Sequence, residues 1–335
     1  MKAGTANGRP VSAGAASAGR PRAGSVAHTP SRSLGVGVSL LAVLTLVAVI
    51  GPSVAPYRPD QSWSAYFVDT PEGRDFRTAP EPPSAAHPFG TNRWGYDLLT
   101  LMLYGARFTI AATALIAGVQ VVTATALGLV QGLGGGLPGR RPTAPRQPGT
   151  GRRGGTGLPL LPGLPVLIIL VFVLQPITVN SPLPPAAVFL MQVILLMLPG
   201  VPALSATVTG RVRDLGGHPM IESGIVAGAG TGRLIRRYVL PTLAPDLSRY
   251  FVYECQQTLT LVGQLGMFNI FLGGTIFTPS PPLLHSVTHE WAGLVGQNRA
   301  NLQFQQWTVL FPLAGYLAVM LAVHLVAIGM ERRSA

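Results

Sequence analysis

Uncharged apolar runs separated by polar stretches recur along this chain. Leu34–Ile50, Phe108–Val130, Leu158–Leu174, Ala186–Leu204 and Trp307–Met330 contain no Asp, Glu, Lys or Arg. A helix rising 1.5 Å per residue crosses a hydrocarbon layer of ~30 Å in about 20 residues. The second and last runs are long enough for this, and the others lie near the lower limit. Pro159, Pro162 and Pro165 predict a kinked or non-helical start for the third run. A sixth stretch, Thr242–Leu272, carries Asp246, Arg249, Glu254, Gln256 and Gln257. Such a helix needs protein or water along one face. The pattern predicts an all-α polytopic membrane protein with about six transmembrane helices, near 34–52, 108–130, 158–175, 186–205, 242–272 and 307–330.

Composition agrees with this pattern. Charged residues are 11% of the chain and hydrophobic ones 48%, whereas a soluble domain carries about 25% charge. Residues 1–33, rich in Gly, Ala, Ser, Pro and Arg, predict a disordered tail. The first apolar run invites a signal-peptide reading, with small residues at Ser53 and Ala55 as a cleavage site. The long leading tail and Pro56 favour a retained first span instead. With six spans both termini share one side. Placing them in the cytoplasm puts 18 of the 24 basic residues inside and leaves Arg58, Arg74, Arg77, Arg93, Arg107 and Arg299 outside. That asymmetry follows the positive-inside rule. It assigns 53–107 to an external loop and 211–241 to a cytoplasmic one.

The net charge of +12 does not point to nucleic acid. The arginines are scattered between apolar runs, and Cys255, the single cysteine, permits no zinc-ligand spacing and no intrachain disulfide. A Walker A loop needs a lysine after its glycine turn, and Lys2 is the chain's only lysine. Gly228, Gly230 and Gly232 do not make a dinucleotide fingerprint, because no strand precedes them and the last glycine is misplaced. His289-Glu290 begins like a zinc-protease helix, but Gly293 stands where the second histidine must be. The chain therefore has no predicted catalytic site, cofactor or metal.

The stretch Glu222-Ser223-Gly224, followed by Gly228 and later by Leu240-Pro241, resembles the EAA loop of ABC-transporter permease subunits in both its Glu-to-Gly and Glu-to-Pro spacings. Ala55-Pro-Tyr-Arg-Pro-Asp60, His87-Pro-Phe-Gly-Thr91, Gly95-Tyr-Asp97 and Tyr104-Gly-Ala-Arg107 resemble segments of the C-type permeases of dipeptide, oligopeptide and nickel systems. Phe271-Leu-Gly273, Trp291-Ala-Gly293, Arg299 and Phe311-Pro312 follow in that family's order. The likeness covers roughly residues 35–330. Departures are Ser223-Gly224 for two alanines, Asn92 for Asp, Tyr96 for Arg, Gly266 for Glu, and a Gly/Pro/Arg stretch at 134–157.

The resemblance implies an ABC type I permease fold in the bacterial cytoplasmic membrane. It implies a second permease subunit, two cytoplasmic ATP-binding subunits that hydrolyse ATP, and an external substrate-binding lipoprotein. Glu222, Gly228, Leu240 and Pro241 become the expected coupling elements, with Gly228 as a turn and Pro241 suited to the first turn of the next span. Arg233, Arg236 and Arg237 lie at helical spacing, so they share a face for an acidic partner or serve as positive-inside anchors. Glu254, Gln256 and Gln257 are expected to line the path or bond the partner permease. The segment from His87 through Asp97 to Arg107 is expected to meet the delivery protein or to plug the outer mouth. The competing readings are a non-transporting scaffold, favoured by the altered 134–157 stretch, and a secondary transporter. The latter calls for ion-binding carboxylates in the spans, where only Glu254 qualifies. The resemblance implies import of di- or oligopeptides through a path of which this chain forms half, with nickel and sugar-like cargo as the other classes such systems carry.

Overall fold

The computed structural model of the chain describes residues 32–70, 73–133, 163–216, 221, 223–224, 229–279 and 282–332. The tail up to residue 31, the 134–157 stretch, Glu222 and Gly228 lie outside the described residues, as do Pro159 and Pro162. The protein is predominantly helical. In chain order come α1 (Arg32–Val54), the β1–β2 hairpin (Ala65–Thr70 with Gly73–Thr78), α2 (Leu98–Leu133), α3 (Gly163–Thr178), α4 (Pro185–Met197) and α5 (Val201–Gly216). A short α6 (Thr231–Leu234) runs through a π-helical segment, Ile235–Val239, into α7 (Leu240–Met267). The β3–β4 hairpin (Thr275–Pro279 with Pro282–Ser286), α8 (Trp291–Asn298) and α9 (Trp307–Glu331) complete the order. Both hairpins are antiparallel. The apolar periodicity gave no sign of them.

Among the described residues α1, α2 and α9 are long and apolar enough to cross a bilayer, and α3 is a shorter apolar helix. The run predicted as one span at 186–205 is two helices, α4 and α5, bent by 52° across residues 198–200. Pro199 explains the break: it has no N–H for the carbonyl of Leu195, and its ring crowds that carbonyl. The span predicted at 108–130 extends to 98–133, so the preceding loop is shorter than expected. Asp97 sets this start, since its Oδ2 accepts from the Thr100 backbone N–H at 2.8 Å and from the Thr100 hydroxyl at 2.7 Å. This is an N-cap. At 36 residues α2 is roughly 54 Å long, so it reaches past any ~30 Å hydrocarbon layer. The stretch predicted as a span to residue 272 leaves the helix at Met267, where Asn269 adopts a left-handed φ of 60°.

Helices meet through small residues, as is usual where lipid removes the hydrophobic incentive to associate. A Cβ at Gly37 of α1 would lie 2.7 Å from the Val326 backbone nitrogen of α9, and one at Gly329 would lie 2.6 Å from Cα of Leu34. Gly128 and Gly132, one turn apart on α2, bring that helix equally close to Val208 and Val212 of α5.

Two apolar clusters fill the interior. The larger takes Leu98, Leu101, Ile116, Leu174, Leu259 and Leu294 among others, and so joins α2, α3, α7 and α8. The smaller contains Val121, Ala124, Leu204, Val208, Val212, Ile221, Val239 and Leu243. It lies at the end of the bundle where the 221–241 elbow joins.

Substituting Gly37→Leu forces α1 and α9 apart. Overpacking of this kind costs about 1–3 kcal/mol, so the melting temperature in detergent is expected to fall. An unchanged melting curve would contradict the close α1–α9 crossing.

Candidate functional site

The residues expected to couple to a motor lie at the elbow end. Glu222 and Gly228 are outside the described residues, but their neighbours define the seat. Ile221, Leu234 and Val239 are buried, and a Cβ on Gly224 would lie 2.8 Å from Cδ2 of Leu234. The departure from alanine at position 224 thus allows the chain to pack on Leu234. Arg233, Arg236 and Arg237 are exposed on the helical run that follows. Leu240 is half-buried and Pro241 exposed. Pro241 stands in the first turn of α7, which follows without a break on the helical run that begins at Thr231. A proline there deprives the Arg237 carbonyl of its i+4 donor, and the π-helical widening at Ile235–Val239 falls at that place. Arg211 of α5 donates to Asp246 of α7 at 2.9 Å, and Arg249 reaches the same carboxylate at 3.4 Å. The polar residues at the start of α7 therefore tie two helices together.

The three polar residues expected along a path separate in the structure. Glu254 points into the subunit, where it is buried and accepts a hydrogen bond from Nε2 of Gln120 on α2. A Cβ at Gly200, in the bend between α4 and α5, would sit 2.7 Å from the Gln120 amide carbon and 3.3 Å from Oε2 of Glu254. The pair therefore fills the gap left by the bend. Gln256 is half-buried, with Nε2 3.3 Å from Nδ1 of His324 on α9. Gln257 alone is fully exposed, and it has company that single-residue reading missed. Tyr253, Gln257, Thr260 and Gln264 are all exposed. Their i, i+4, i+7, i+11 spacing places them on one face of α7. The signal was present in the sequence as a polar 3.6-residue period inside an apolar stretch.

At the hairpin end, His87 and Asp97 are buried, not presented to a partner as expected. Nδ1 of His87 lies 3.0 Å from Oδ1 of Asp97 and donates to it, since a carboxylate only accepts. The other Asp97 oxygen is committed to the α2 cap, so this pair builds the loop. Tyr57 and Trp63 pack their rings around His87 at 5.1 and 5.0 Å. Asn92 serves in the same loop, its Oδ1 accepting from the N–H groups of Trp94 and Tyr96 at 3.0 Å each. An acceptor oxygen is what the position requires, so Asn suffices. Arg107 is exposed, with its guanidinium 4.9 Å from the Phe108 ring.

Behind this loop a buried polar cluster holds the segment between α7 and α9. Glu290 accepts from the Leu272 N–H at 2.9 Å and from the Ser286 hydroxyl. The Thr288 hydroxyl lies 2.7 Å from both Glu290 Oε2 and the Leu272 carbonyl, and its one hydrogen serves either. Burial pushes the Glu290 pKa up to about 7 against the lowering effect of these donors. Gln192 of α4 clamps the same turn with both ends of its amide. It donates to the Phe271 carbonyl and accepts from the Gly273 N–H, each at 2.8 Å. Trp291 docks α8 on α2 through Nε1 to the Met102 carbonyl at 2.9 Å. Gly266, which replaces a family glutamate, has no room for one: a Cβ there would meet the Ala292 carbonyl at 2.7 Å. No group of three or more His, Cys, Asp or Glu able to hold a metal is present among the described residues.

No protein-family model matches the chain. Curated relatives include the dipeptide transport system permease protein DppC of Alkalihalophilus pseudofirmus, 25% identical over 300 residues, which cover 88% of this chain and 83% of the relative. DppC of Haemophilus influenzae is 24% identical over 296 residues, 88% of each chain. The di/tripeptide transport system permease protein DppC of Pseudomonas aeruginosa is 25% identical over 296 residues, covering 88% of this chain and 85% of the relative.

Two predictions follow from buried polar groups. Gln120→Leu strips the donor from Glu254, at a cost of about 1–3 kcal/mol for an unsatisfied buried acceptor. The double variant Gln120→Leu/Glu254→Leu is expected to recover most of the loss in denaturant unfolding. For Glu290 the folded pKa, about 7, exceeds the ordinary value of 4.5. Its contribution to stability is complete below pH 4.5 and is lost as pH rises to about 7. Glu290→Gln should flatten the melting-temperature profile in that window, and an unaltered profile would assign the titration elsewhere.

Proposed function

We propose that this chain is an ABC transporter permease of the dipeptide and oligopeptide type and forms half of a path for peptides across the bacterial cytoplasmic membrane. It carries no motor. A second permease subunit closes the path, and two ATPase subunits seat under the elbow at 211–241, with Glu222 and Gly228 at its centre. An external lipoprotein delivers the peptide to the hairpin end. The cytoplasmic excess of arginine supports this orientation.

The observation that carries the proposal is the exposed polar face of α7. Tyr253, Gln257, Thr260 and Gln264 form an exposed stripe along one face of that helix. Polar side chains facing lipid are costly, so such a stripe belongs against water or a partner. Backbone amides of a peptide need hydrogen-bonding groups along their route, and uncharged amides and hydroxyls offer these without fixing one sequence. The relatives are named dipeptide and di/tripeptide transport permeases, which supports small peptides as the cargo. Arg233, Arg236 and Arg237 project from the helical run that feeds α7, so a push on them moves the helix bearing the stripe as a rigid rod.

Uptake by proteoliposomes holding the complete complex tests the reading. Gln257→Leu and Gln264→Leu are expected to lower peptide uptake while leaving assembly intact. A cysteine at position 236 in a Cys255→Ala background is expected to crosslink to the ATPase. Normal uptake in both leucine variants would remove the stripe from the path. An assembled complex that never crosslinks would remove the elbow from the motor.

A further inference from the structure

Two arginines at the hairpin end have no acidic partner among the described ion pairs. Arg93, in the loop before α2, donates from Nη2 to Oδ1 of Asn301. Its guanidinium lies 5.7 Å from the centre of the Trp94 ring, and its Nε is buried with no hydrogen-bond acceptor. Desolvation pushes its pKa below the usual value, with no carboxylate to offset that. Arg299, just past α8, donates from Nη1 to Oδ1 of Asn269 at 2.6 Å and to the Gly296 carbonyl at 2.8 Å. Its other guanidinium nitrogens are uncommitted among the described hydrogen bonds, and its side chain is exposed.

Both arginines border one cavity of about 190 Å³. Asn269 and Gln297 complete its polar wall, and Phe277 and Leu284 of the β3–β4 hairpin form an apolar one. The lining contains two positive charges and no negative one. The amide oxygens that orient the two guanidinium groups are neutral, so they fix direction without cancelling charge. A planar anion with two acceptor oxygens is the complement of such forks. The volume is below the roughly 300–1,000 Å³ of pockets that enclose whole ligands, so it suits one terminal group with a small apolar neighbour.

We propose that Arg93 and Arg299 form a receptor for a single carboxylate presented by a polypeptide, with the hairpin's Phe277 and Leu284 accepting the adjoining aliphatic side chain. The carboxylate comes either from the free C-terminus of a peptide or from an Asp or Glu side chain on a protein docked at this surface. The role of such a receptor in delivery rests on the permease reading, which puts this end outside. Binding itself does not, and it is measured on this chain alone.

The test uses the full chain in phosphatidylcholine nanodiscs and saturation-transfer NMR. The probes are N-acetyl-Ala-Ala with a free carboxylate, its C-terminal amide, N-acetyl-Ala-Glu-Ala-amide and inorganic phosphate. Saturable binding of at least one carboxylate probe and none of the dialanine amide is expected. Arg93→Gln and Arg299→Gln should each weaken binding about tenfold or more, the loss typical of a charge-assisted pair. Binding of the free acid alone assigns the site to a peptide terminus. Binding of the blocked glutamyl peptide alone assigns it to a docking protein, and binding of both supports the shared receptor. The proposal is overturned if neither carboxylate binds, if the dialanine amide competes equally, or if phosphate binds as tightly as the carboxylates. The acid-against-amide comparison needs no variant, so it holds even if a substitution perturbs the loop. Its failure would leave the uptake and crosslinking tests of the transport reading untouched.

Discussion

A carboxylate inside an apolar bundle has to be given a donor, and in this protein that requirement organises the middle of the molecule. Glu254 on α7 takes its hydrogen bond from Gln120 on α2, and the contact is possible because Pro199 and Gly200 open the chain between α4 and α5. Three elements meet at this point. The larger apolar cluster lies on the hairpin side of the contact and the smaller one on the elbow side. The bundle is thus two packed bodies joined through a polar layer, with α2 and α7 continuous through both. Interiors packed this tightly do not deform smoothly. Motion between the ends has to run along those two helices or at the break between α4 and α5.

At the hairpin end buried hydrogen bonds tie the loops to the helices. Glu290 and Gln192 between them bind the turn after α7 from two directions, and Asp97 both caps α2 and orients His87. Each of these groups is buried and satisfied, which is the condition under which buried polar networks rigidify instead of destabilising. Arg93 and Arg299 stand apart from this arrangement because no acidic residue is among those lining their cavity. Leu234, Val239 and Leu243 anchor the run into α7 from below while its arginines remain free at the surface.

Much of this was legible in the chain itself. The apolar runs specified a helical membrane protein because lipid leaves backbone groups no partner outside a helix or a closed barrel, and the order of short motifs carried the resemblance to peptide transport permeases. The polar face of α7 was also written there, as a period of 3.6 in Tyr253, Gln257, Thr260 and Gln264. Reading Glu254, Gln256 and Gln257 as one group obscured it, since consecutive residues on a helix point in different directions.

What the sequence determined by itself was where the chain is apolar and which residues carry charge, because those properties belong to single positions and to fixed helical spacings. Which way Glu254 faces, that His87 and Asp97 are buried against each other, and that Arg93 and Arg299 share a cavity were decided by the tertiary structure alone. Those facts depend on groups 10 to more than 200 residues apart meeting in space, and no local pattern encodes which distant donor will satisfy a given acceptor.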